Sequence, residues 1–360
     1  MTINYGVPEL VVSRLANQHL TKPSLENPAD VVQWLGAVQG QDYRGALWGI
    51  GLRTRGATEV DVEKAIASRS IVRTWPMRGT LHFVPATDVR WMLELLTPRV
   101  IKRCAGRYRQ LELNNQTFAR SARVIVRALE GDRQLTRSEL YRALEAAKID
   151  VANQRGIHIL SHLAQTGLIC FGAPRGKQQT LALLDEWVPS TTSVERDEGL
   201  AKLAGRYFRS HGPATLQDFA WWSGLTMTDV RNAVELAKDR LVQKKVDDKV
   251  YWSHQSQSNL RNKKPTALLL PVYDEYTVAY RDRSAILNPK HLRAAGNGIF
   301  TPAITVDGQI VGRWTCTVKN KSIVITTQNF QKLVPAELAA LERAAKRYGA
   351  FLATSVVLSA

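Results

Sequence analysis

Short amphipathic helices followed by a pair of strands recur three times before residue 255. In the first occurrence, apolar residues between Val31 and Val38 repeat at the period of an α-helix that Asp30 is placed to cap. Strands are predicted at 71–75 and 79–84, on either side of a turn that contains Gly79. Two or three helices followed by such a hairpin are the outline of a winged helix.

The second and third occurrences begin with clearer helix-start signals. Thr136 and Glu139 match the S/T-x-x-E capping box, and Thr215 has Asp218 at the same spacing. The hairpins predicted to follow pair 168–172 with 179–183, and 241–246 with 250–252. The repetition therefore predicts three tandem winged-helix units.

A different module follows Trp252. Residues 253–264 are polar and are typical of a linker. Beyond them, β-branched runs predict strands at 266–272, 299–306, 309–318 and 322–327, a helix at 335–348 and a last strand at 351–358. The sequence thus predicts an α+β fold: tandem winged-helix (helix-turn-helix plus β-wing) units in domains 1–112, 113–190 and 191–255, then a small β-sheet or barrel module at 256–360.

The net charge of the chain indicates the kind of partner that the protein binds. Lys and Arg number 49 against 32 Asp and Glu, which gives a formal net charge of +17. Such an excess, spread along the chain, favours a folded surface that binds the phosphates of nucleic acid, although a generally basic protein without that partner is the alternative.

Cysteine usage and hydropathy bear on the compartment. Cys104, Cys170 and Cys316 stand far apart, so neither a disulfide framework nor a Cys-rich zinc site is indicated. No apolar run reaches the ~20 residues that a membrane helix needs, and no secretory signal is recognisable. We expect a bacterial cytosolic or nucleoid protein that is monomeric and has no membrane partner.

Two clusters of titratable residues have competing interpretations. His158 and His162 have the i, i+4 spacing of metal ligands, but the apolar context favours packed histidines, and no metal or other cofactor is expected. Asp274 and Glu275 would form an acid/base pair only if they shared a cleft. Because neighbours on a strand face opposite sides, ion pairs with Arg281 or Arg283 are the preferred interpretation.

The segment Gln39-Gly40-Gln41 is the main candidate for chemistry. If Gly40 interrupts the helix and Asp42 caps the next one, the chain is locally extended and two glutamines two residues apart face one side. Their amides then supply donors and acceptors that can hold a water and a substrate oxygen together. The alternative is that both glutamines only cap helix ends.

Several stretches of the sequence resemble the AlkZ-like family of winged-helix DNA glycosylases. They are WLGAVQGQDYRGALW from Trp34 to Trp48, IVRTWPMRGTLH from Ile71 to His82, RGKQQT from Arg175 to Thr180, and PVYDEY from Pro271 to Tyr276 with Arg281-Asp282-Arg283. In that family a Gln-x-Gln motif is taken to carry base excision, and the resemblance places it on Gln39 and Gln41. Gly40 stands where the family usually has a larger or apolar residue.

The resemblance implies a DNA glycosylase that hydrolyses the N-glycosidic bond of N7- or N3-alkylated purines in duplex DNA, bulky adducts and interstrand crosslinks included. A monofunctional enzyme is expected, since no lysine is placed by a motif as a nucleophile. The alternative is a non-catalytic winged-helix DNA-binding protein, either a transcription regulator or a lesion sensor. Candidate supporting residues are Asp42, Trp48 and Trp75, and candidate DNA contacts are Arg44, Arg73, Arg78, His82, Arg175 and Lys177.

Overall fold

The structure, a computed structural model, has a mixed α+β fold and describes residues 7–188, 193–246, 248–255, 265–296, 301–319 and 322–359. Its helices are α1 Val7–Asn17, α2 Pro28–Leu35, α3 Tyr43–Gly51, α4 Glu59–Ala67, α5 Val89–Gln110, α6 Asn115–Leu129, α7 Arg137–Ala146, α8 Arg155–Gln165, α9 Leu184–Trp187, α10 Arg196–Ser210, α11 Leu216–Ser223, α12 Met227–Leu236, α13 Glu275–Val278, α14 Leu292–Ala295 and α15 Pro335–Phe351. Its strands are β1 Val38–Gln39, β2 Ile71–Met77, β3 Thr80–Pro85, β4 Leu135–Thr136, β5 Ile169–Phe171, β6 Thr180–Leu183, β7 Leu241–Val246, β8 Lys249–His254, β9 Ala267–Leu270, β10 Ala303–Val306, β11 Gln309–Lys319, β12 Ser322–Asn329 and β13 Ser355–Ser359.

These elements fall into two compact units. The first unit combines Met1–Val62 with Leu200–Ala360, and the second is Glu63–Gly199. The first unit is therefore discontinuous in sequence, and its two segments must meet to form one core. The division into domains 1–112, 113–190, 191–255 and 256–360 stays a prediction.

The second unit is built around one antiparallel sheet with the strand order β3-β2-β5-β6-β4. The hairpins predicted near residues 71–84 and 168–183 are confirmed as β2–β3 and β5–β6. The two hairpins do not stand apart, because Arg73 of β2 pairs with Phe171 of β5. Helices α5, α6 and α8 pack with this sheet around a core that includes Trp75, Leu140, Ile159 and Leu181.

The third predicted hairpin lies in the first unit. Strands β7 and β8 pair antiparallel, with Leu241 opposite His254 and Val246 opposite Lys249. The capping boxes predicted at Thr136 with Glu139 and at Thr215 with Asp218 are also present, and they begin α7 and α11. The helices and hairpins follow in the order expected of winged helices, and that assignment remains a prediction.

The C-terminal part of the first unit contains a five-stranded sheet with the order β13-β12-β11-β10-β9. Asp307 and Gly308 both have positive φ, at 48° and 81°, which is the conformation of a tight turn between β10 and β11. Helix α15 packs on β9 and β13, as the apolar period of 335–348 predicts. Of the predicted linker 253–264, residues 256–264 lie outside the described residues, as do residues 299–300 of the predicted strand 299–306.

Hydropathy along the helices agrees with the absence of an apolar run in the sequence. Within the described part of the chain, every helix is too short or too polar to cross a membrane.

Candidate functional site

The Gln39-Gly40-Gln41 segment lies on extended chain between two helices. Helix α2 ends at Leu35, where Gly36 takes a left-handed φ of 83°, and α3 begins at Tyr43 with Asp42 at its N-cap position. An interruption is therefore present, but it begins at Gly36 and not at Gly40 as predicted, and the Asp42 side chain makes no capping hydrogen bond. The Gln39 side chain is 8 % exposed, whereas Gln41 is exposed.

A buried carboxylate holds the backbone of this segment. Glu275 Oε1 accepts a hydrogen bond from the backbone N–H of Gln39 at 2.9 Å, and Oε2 accepts one from the indole N–H of Trp222 at 2.9 Å. Glu275 is 1 % exposed, so its charge is removed from water and depends on these donors. Hydrogen bonds to an ionised acceptor are short and strong, and Gln39 is therefore held firmly at its amide.

His211 completes the surroundings of Glu275. Its Nε2 lies 3.4 Å from Glu275 Oε2, and its ring stacks on Tyr207 at 5.0 Å between centroids. Burial lowers the pKa of His211 below its usual value even though the Glu275 carboxylate opposes the shift. Because the ring is driven toward its neutral form, it adds no positive charge beside Glu275.

The other acidic residue of the pair holds the opposite end of α3. Both carboxylate oxygens of Asp274 accept hydrogen bonds from the guanidinium of Arg53, at 2.8 and 2.9 Å, and both residues are buried. The pairing predicted with Arg281 or Arg283 is therefore wrong. Asp274 caps the short helix α13 rather than ending a strand, which turns both carboxylates toward α3 and its flanks.

Trp48 and Arg44 extend the site along α3. Trp48 is buried, its indole N–H donates to the Leu269 carbonyl at 2.7 Å, and its ring packs edge-on against Tyr348. Asp42, Arg44 and Trp48 all line a cavity of about 330 Å³ whose apolar wall includes Trp314. The structure thus brings five of the predicted site residues, including the two glutamines, onto β1, α3 and the chain between them.

The remaining predicted residues belong to the second unit, and the structure groups them on its sheet. Trp75 is 8 % exposed, lies in the core and packs against Phe171 at 5.2 Å between ring centroids. Arg73 is 6 % exposed, lies over the Phe171 ring and donates to Gln179 Oε1 at 3.0 Å. Both side chains are thus engaged in packing within the sheet.

Arg78 and His82 form a linked pair on the first hairpin. His82 is fully buried, with Nδ1 at 3.0 Å from the Thr80 carbonyl and Nε2 at 3.1 Å from Arg78 Nη2. The carbonyl can only accept, so Nδ1 carries the proton and Nε2 accepts from Arg78. His82 therefore orients Arg78, which is half-buried at the turn with a positive φ of 56°.

Arg175 and Lys177 lie at the tip of the second hairpin and are both exposed. Arg175 donates to Glu139 at 3.1 Å and to the Gln134 carbonyl. Donation from the Thr136 backbone and hydroxyl, with a smaller contribution from Arg175, lowers the pKa of Glu139 to about 2. The charge of Arg175 is therefore partly balanced.

The histidines at i, i+4 pack among aromatic rings. His162 stacks on Phe118 with centroids 3.8 Å apart, and Tyr108 lies edge-on to both His158 and His162. Burial lowers the pKa of both histidines. Among the described residues, no group of three or more His, Cys, Asp or Glu side chains is arranged to hold a metal ion.

Sequence reasoning missed the residues that support the motif. The sequence indicates Asp274 and Glu275 as an acidic pair but predicts the wrong partners for them, and no motif indicates Arg53 or His211. The one local signal was an adjacent acidic pair followed by Tyr276 in an otherwise apolar stretch.

A comparison with protein families identifies the chain. The model of the DNA glycosylase AlkZ-like family matches residues 32–351. The chain belongs to the AlkZ-like DNA glycosylase family. It is accordingly an enzyme that hydrolyses N-glycosyl bonds in DNA, which decides against the alternative of a non-catalytic DNA-binding protein.

Individual members of the AlkZ-like family agree with this assignment. An interstrand DNA cross-link repair glycosylase from Streptomyces sahachiroi is 26% identical over 336 residues, which cover 87% of this chain and 88% of that protein. The solved structure of the Streptomyces sahachiroi DNA glycosylase AlkZ has the same fold, with a TM-score of 0.81 at 21% identity over 99% of this chain and 100% of that one.

Proposed function

We propose that this DNA glycosylase removes N7- and N3-alkylated purines from duplex DNA, and that bulky adducts and interstrand crosslinks are among its substrates. Membership in the AlkZ-like family supports base excision. The name of the Streptomyces sahachiroi relative, an interstrand DNA cross-link repair glycosylase, supports the crosslinked substrate.

The chemistry of such a lesion suits neutral catalytic groups. An N7- or N3-alkylated purine already carries positive charge, so it leaves without prior protonation. The enzyme must mainly position a water molecule and stabilise the oxocarbenium-like sugar that forms as the bond breaks. The amides of Gln39 and Gln41 hold that water and a substrate oxygen, and no cofactor or covalent intermediate is required.

One observation carries this assignment: a buried carboxylate fixes the extended segment that bears both glutamines. Glu275 is held by the Trp222 indole and in turn accepts the N–H of Gln39. Preorganised polar groups stabilise a transition state because they need not reorient when charge develops. The Glu275 carboxylate also favours a cationic sugar nearby, and the carboxylate of Asp42 next to the motif adds to that effect.

Contacts with DNA are assigned to the exposed and half-buried cations among the candidates. Arg44, Arg78, Arg175 and Lys177 contact phosphates, whereas the buried Arg73 and His82 act by orienting their neighbours. The surrounding helices and hairpins act as winged-helix units, and the enzyme works as a monomer.

Base release from a duplex containing N7-methylguanine tests the proposal under single-turnover conditions. Gln39→Ala and Gln41→Ala should each slow release by ~10²–10³, the usual cost of one preorganised polar contact. Duplex affinity should change only a few-fold, because both amides act in the transition state. Gln116→Ala, which removes an exposed glutamine on α6, serves as the matched control.

The double variant Gln39→Ala/Gln41→Ala separates a shared role from two independent ones. If both amides hold one water, it should lose less than the product of the single losses. Equal rates of base release in the wild type and in both folded single variants would remove the glutamines from the mechanism. Absence of base release from every alkylated or crosslinked duplex would overturn the substrate assignment.

A further inference from the structure

A cavity in the first unit has four cations among its ten lining residues and does not involve the Gln39-Gly40-Gln41 segment. Its volume is about 480 Å³, within the range of small-molecule and nucleotide sites. The lining residues are Leu25, Asp30, Gln33, Trp34, Lys202, Gly205, Arg206, Arg209, Arg240 and His254.

Helix α10 supplies most of this positive charge from a single face. Lys202, Arg206 and Arg209 recur at spacings of four and three residues, which places them in one row along the helix. Gly205 lies within that row, and a Cβ built on it would meet nothing within 4 Å. The glycine thus leaves open space between the basic side chains.

The opposite walls add to the charge instead of cancelling it. Arg240, which precedes β7, and His254, at the end of β8, also line the cavity. Against four permanent cations in the lining there is one carboxylate, Asp30, which is exposed and accepts a hydrogen bond from Asn27 at 3.2 Å.

The guanidinium of Arg209 is partly buried in the wall of the cavity. It lies over the Trp34 ring at 4.3 Å, and its buried Nε has no hydrogen-bond partner within the described part of the chain. Burial and the neighbouring charge of Arg206 both lower the pKa of Arg209. A partly desolvated guanidinium such as that of Arg209 costs folding free energy, which a bound anion would recover.

We propose that this cavity binds a phosphate group, either a phosphodiester of the DNA backbone or a free phosphorylated small molecule. One guanidinium group can donate two parallel hydrogen bonds to the oxygens of a phosphate. Three such groups line the cavity: Arg206 and Arg209 from α10, and Arg240 from the residues before β7. All the residues that line the cavity belong to the first unit, so the site is complete in that unit.

Nuclear magnetic resonance of His254 in the full chain tests the proposal. Burial and the charges of Arg209 and Arg240 lower the pKa of His254, so an anion in the cavity should raise that pKa and shift the ring resonance. The resonance is identified by its loss in His254→Gln. The probes are a short undamaged duplex and, separately, inorganic phosphate.

Gly205→Leu fills the cavity without removing a charge, and it should abolish the shift of the His254 resonance. If the ligand is the DNA backbone, this variant should also weaken duplex binding about tenfold, as expected for losing a charged hydrogen bond. Gly106→Leu is the matched control, since Gly106 is an exposed helical glycine on α5 whose Cβ would meet nothing closer than Arg109 at 4.0 Å. If the ligand is the DNA backbone, Arg240→Gln should also weaken duplex binding, and Lys332→Gln, on the exposed surface, should not.

The two probes distinguish the sources of phosphate. A saturable shift with the duplex, and only a weak one with inorganic phosphate, assigns the cavity to the DNA backbone. Saturation by inorganic phosphate with no response to the duplex assigns it to a free phosphorylated molecule. A His254 resonance that neither probe moves, or a response that survives Gly205→Leu, overturns the proposal. Base release is not measured, so this test is independent of the proposed catalysis.

Discussion

The carboxylate of Glu275 accepts the backbone N–H of Gln39 at 2.9 Å across 236 positions of sequence. This bond fixes a residue of the candidate motif through its main chain. Under the proposed function Glu275 is a positioning residue, and its contribution can be separated from that of the glutamine side chains.

Glu275→Gln should slow single-turnover base release by about ten- to a hundredfold, since small displacements of a catalytic group are costly. The new amide N–H₂ would face either the Gln39 N–H or the Trp222 indole N–H, so one donor loses its acceptor. Duplex affinity, measured by fluorescence anisotropy, should stay within a few-fold. Glu342→Gln, on the exposed face of α15, is the matched control, and equal loss in both variants would exclude a positioning role.

Asp274→Asn should lower the free energy of unfolding by ~3–5 kcal/mol, because it leaves the buried guanidinium of Arg53 without its counter-charge. Urea unfolding measures this change. The exposed pair of Lys249 and Asp282 provides the comparison, and Asp282→Asn should cost no more than about 1 kcal/mol. Similar losses of unfolding free energy in the two variants would show that the buried pair of Arg53 and Asp274 stabilises the fold no more than an exposed pair does.

Lys177→Glu should weaken binding of undamaged duplex for all sequences alike and leave thermal unfolding unchanged, since Lys177 is exposed at a hairpin tip. Loss of one phosphate contact should reduce the slope of log affinity against log salt by ~0.9. Arg175→Glu should weaken binding and also lower the melting temperature, because it places a second carboxylate beside Glu139. A loss confined to one DNA sequence would contradict the assignment of these residues to phosphates.

Acid should destabilise the fold through His19. Its pKa is lowered to about 4, first by burial and then by Arg53 and Arg209. Between the unfolded value of ~6.5 and about 4, the unfolded chain binds a proton that the folded chain does not, so stability is complete above this range and is lost as pH falls through it.

His19→Asn should therefore show a smaller loss of stability than the wild type between pH 7 and pH 5, measured by urea unfolding. Asparagine is chosen because His19 has a positive φ of 55°, which asparagine tolerates. His291→Asn, at a half-buried histidine, should lose as much stability as the wild type. Identical losses in all three proteins would rule out His19 as the source.

The sequence predicts the hairpins and an interruption between α2 and α3, although not its exact position, because both depend on local chemistry. Alternating β-branched residues, the Asp307-Gly308 turn and the glycine between two helical periods act over a few residues. The pairing of β2 with β5 depends instead on two strand edges that are far apart in sequence, and no local pattern specifies it.

The partners of Asp274 and Glu275, which support the candidate site, could not be predicted for a related reason. Asp274 and Glu275 were treated as strand residues, so their side chains were expected to face opposite ways and to pair nearby. Asp274 instead begins a helix of one turn, and its partner Arg53 is 221 positions away. Buried ion pairs between distant segments are set by tertiary packing, which a single sequence does not reveal.

The discontinuous first unit has a consequence for how the enzyme is made. Residues 63–199 form a unit that is continuous in sequence, but the segment bearing Gln39 must wait for Glu275 to be synthesised, 236 residues later. At roughly 5–20 residues per second, the nascent N-terminal helices stay without their partners for roughly 10–50 s. Every newly made molecule therefore passes through a period in which its apolar helix faces are open to chaperones, and a chain that stops short of residue 275 lacks the carboxylate that holds the segment bearing Gln39.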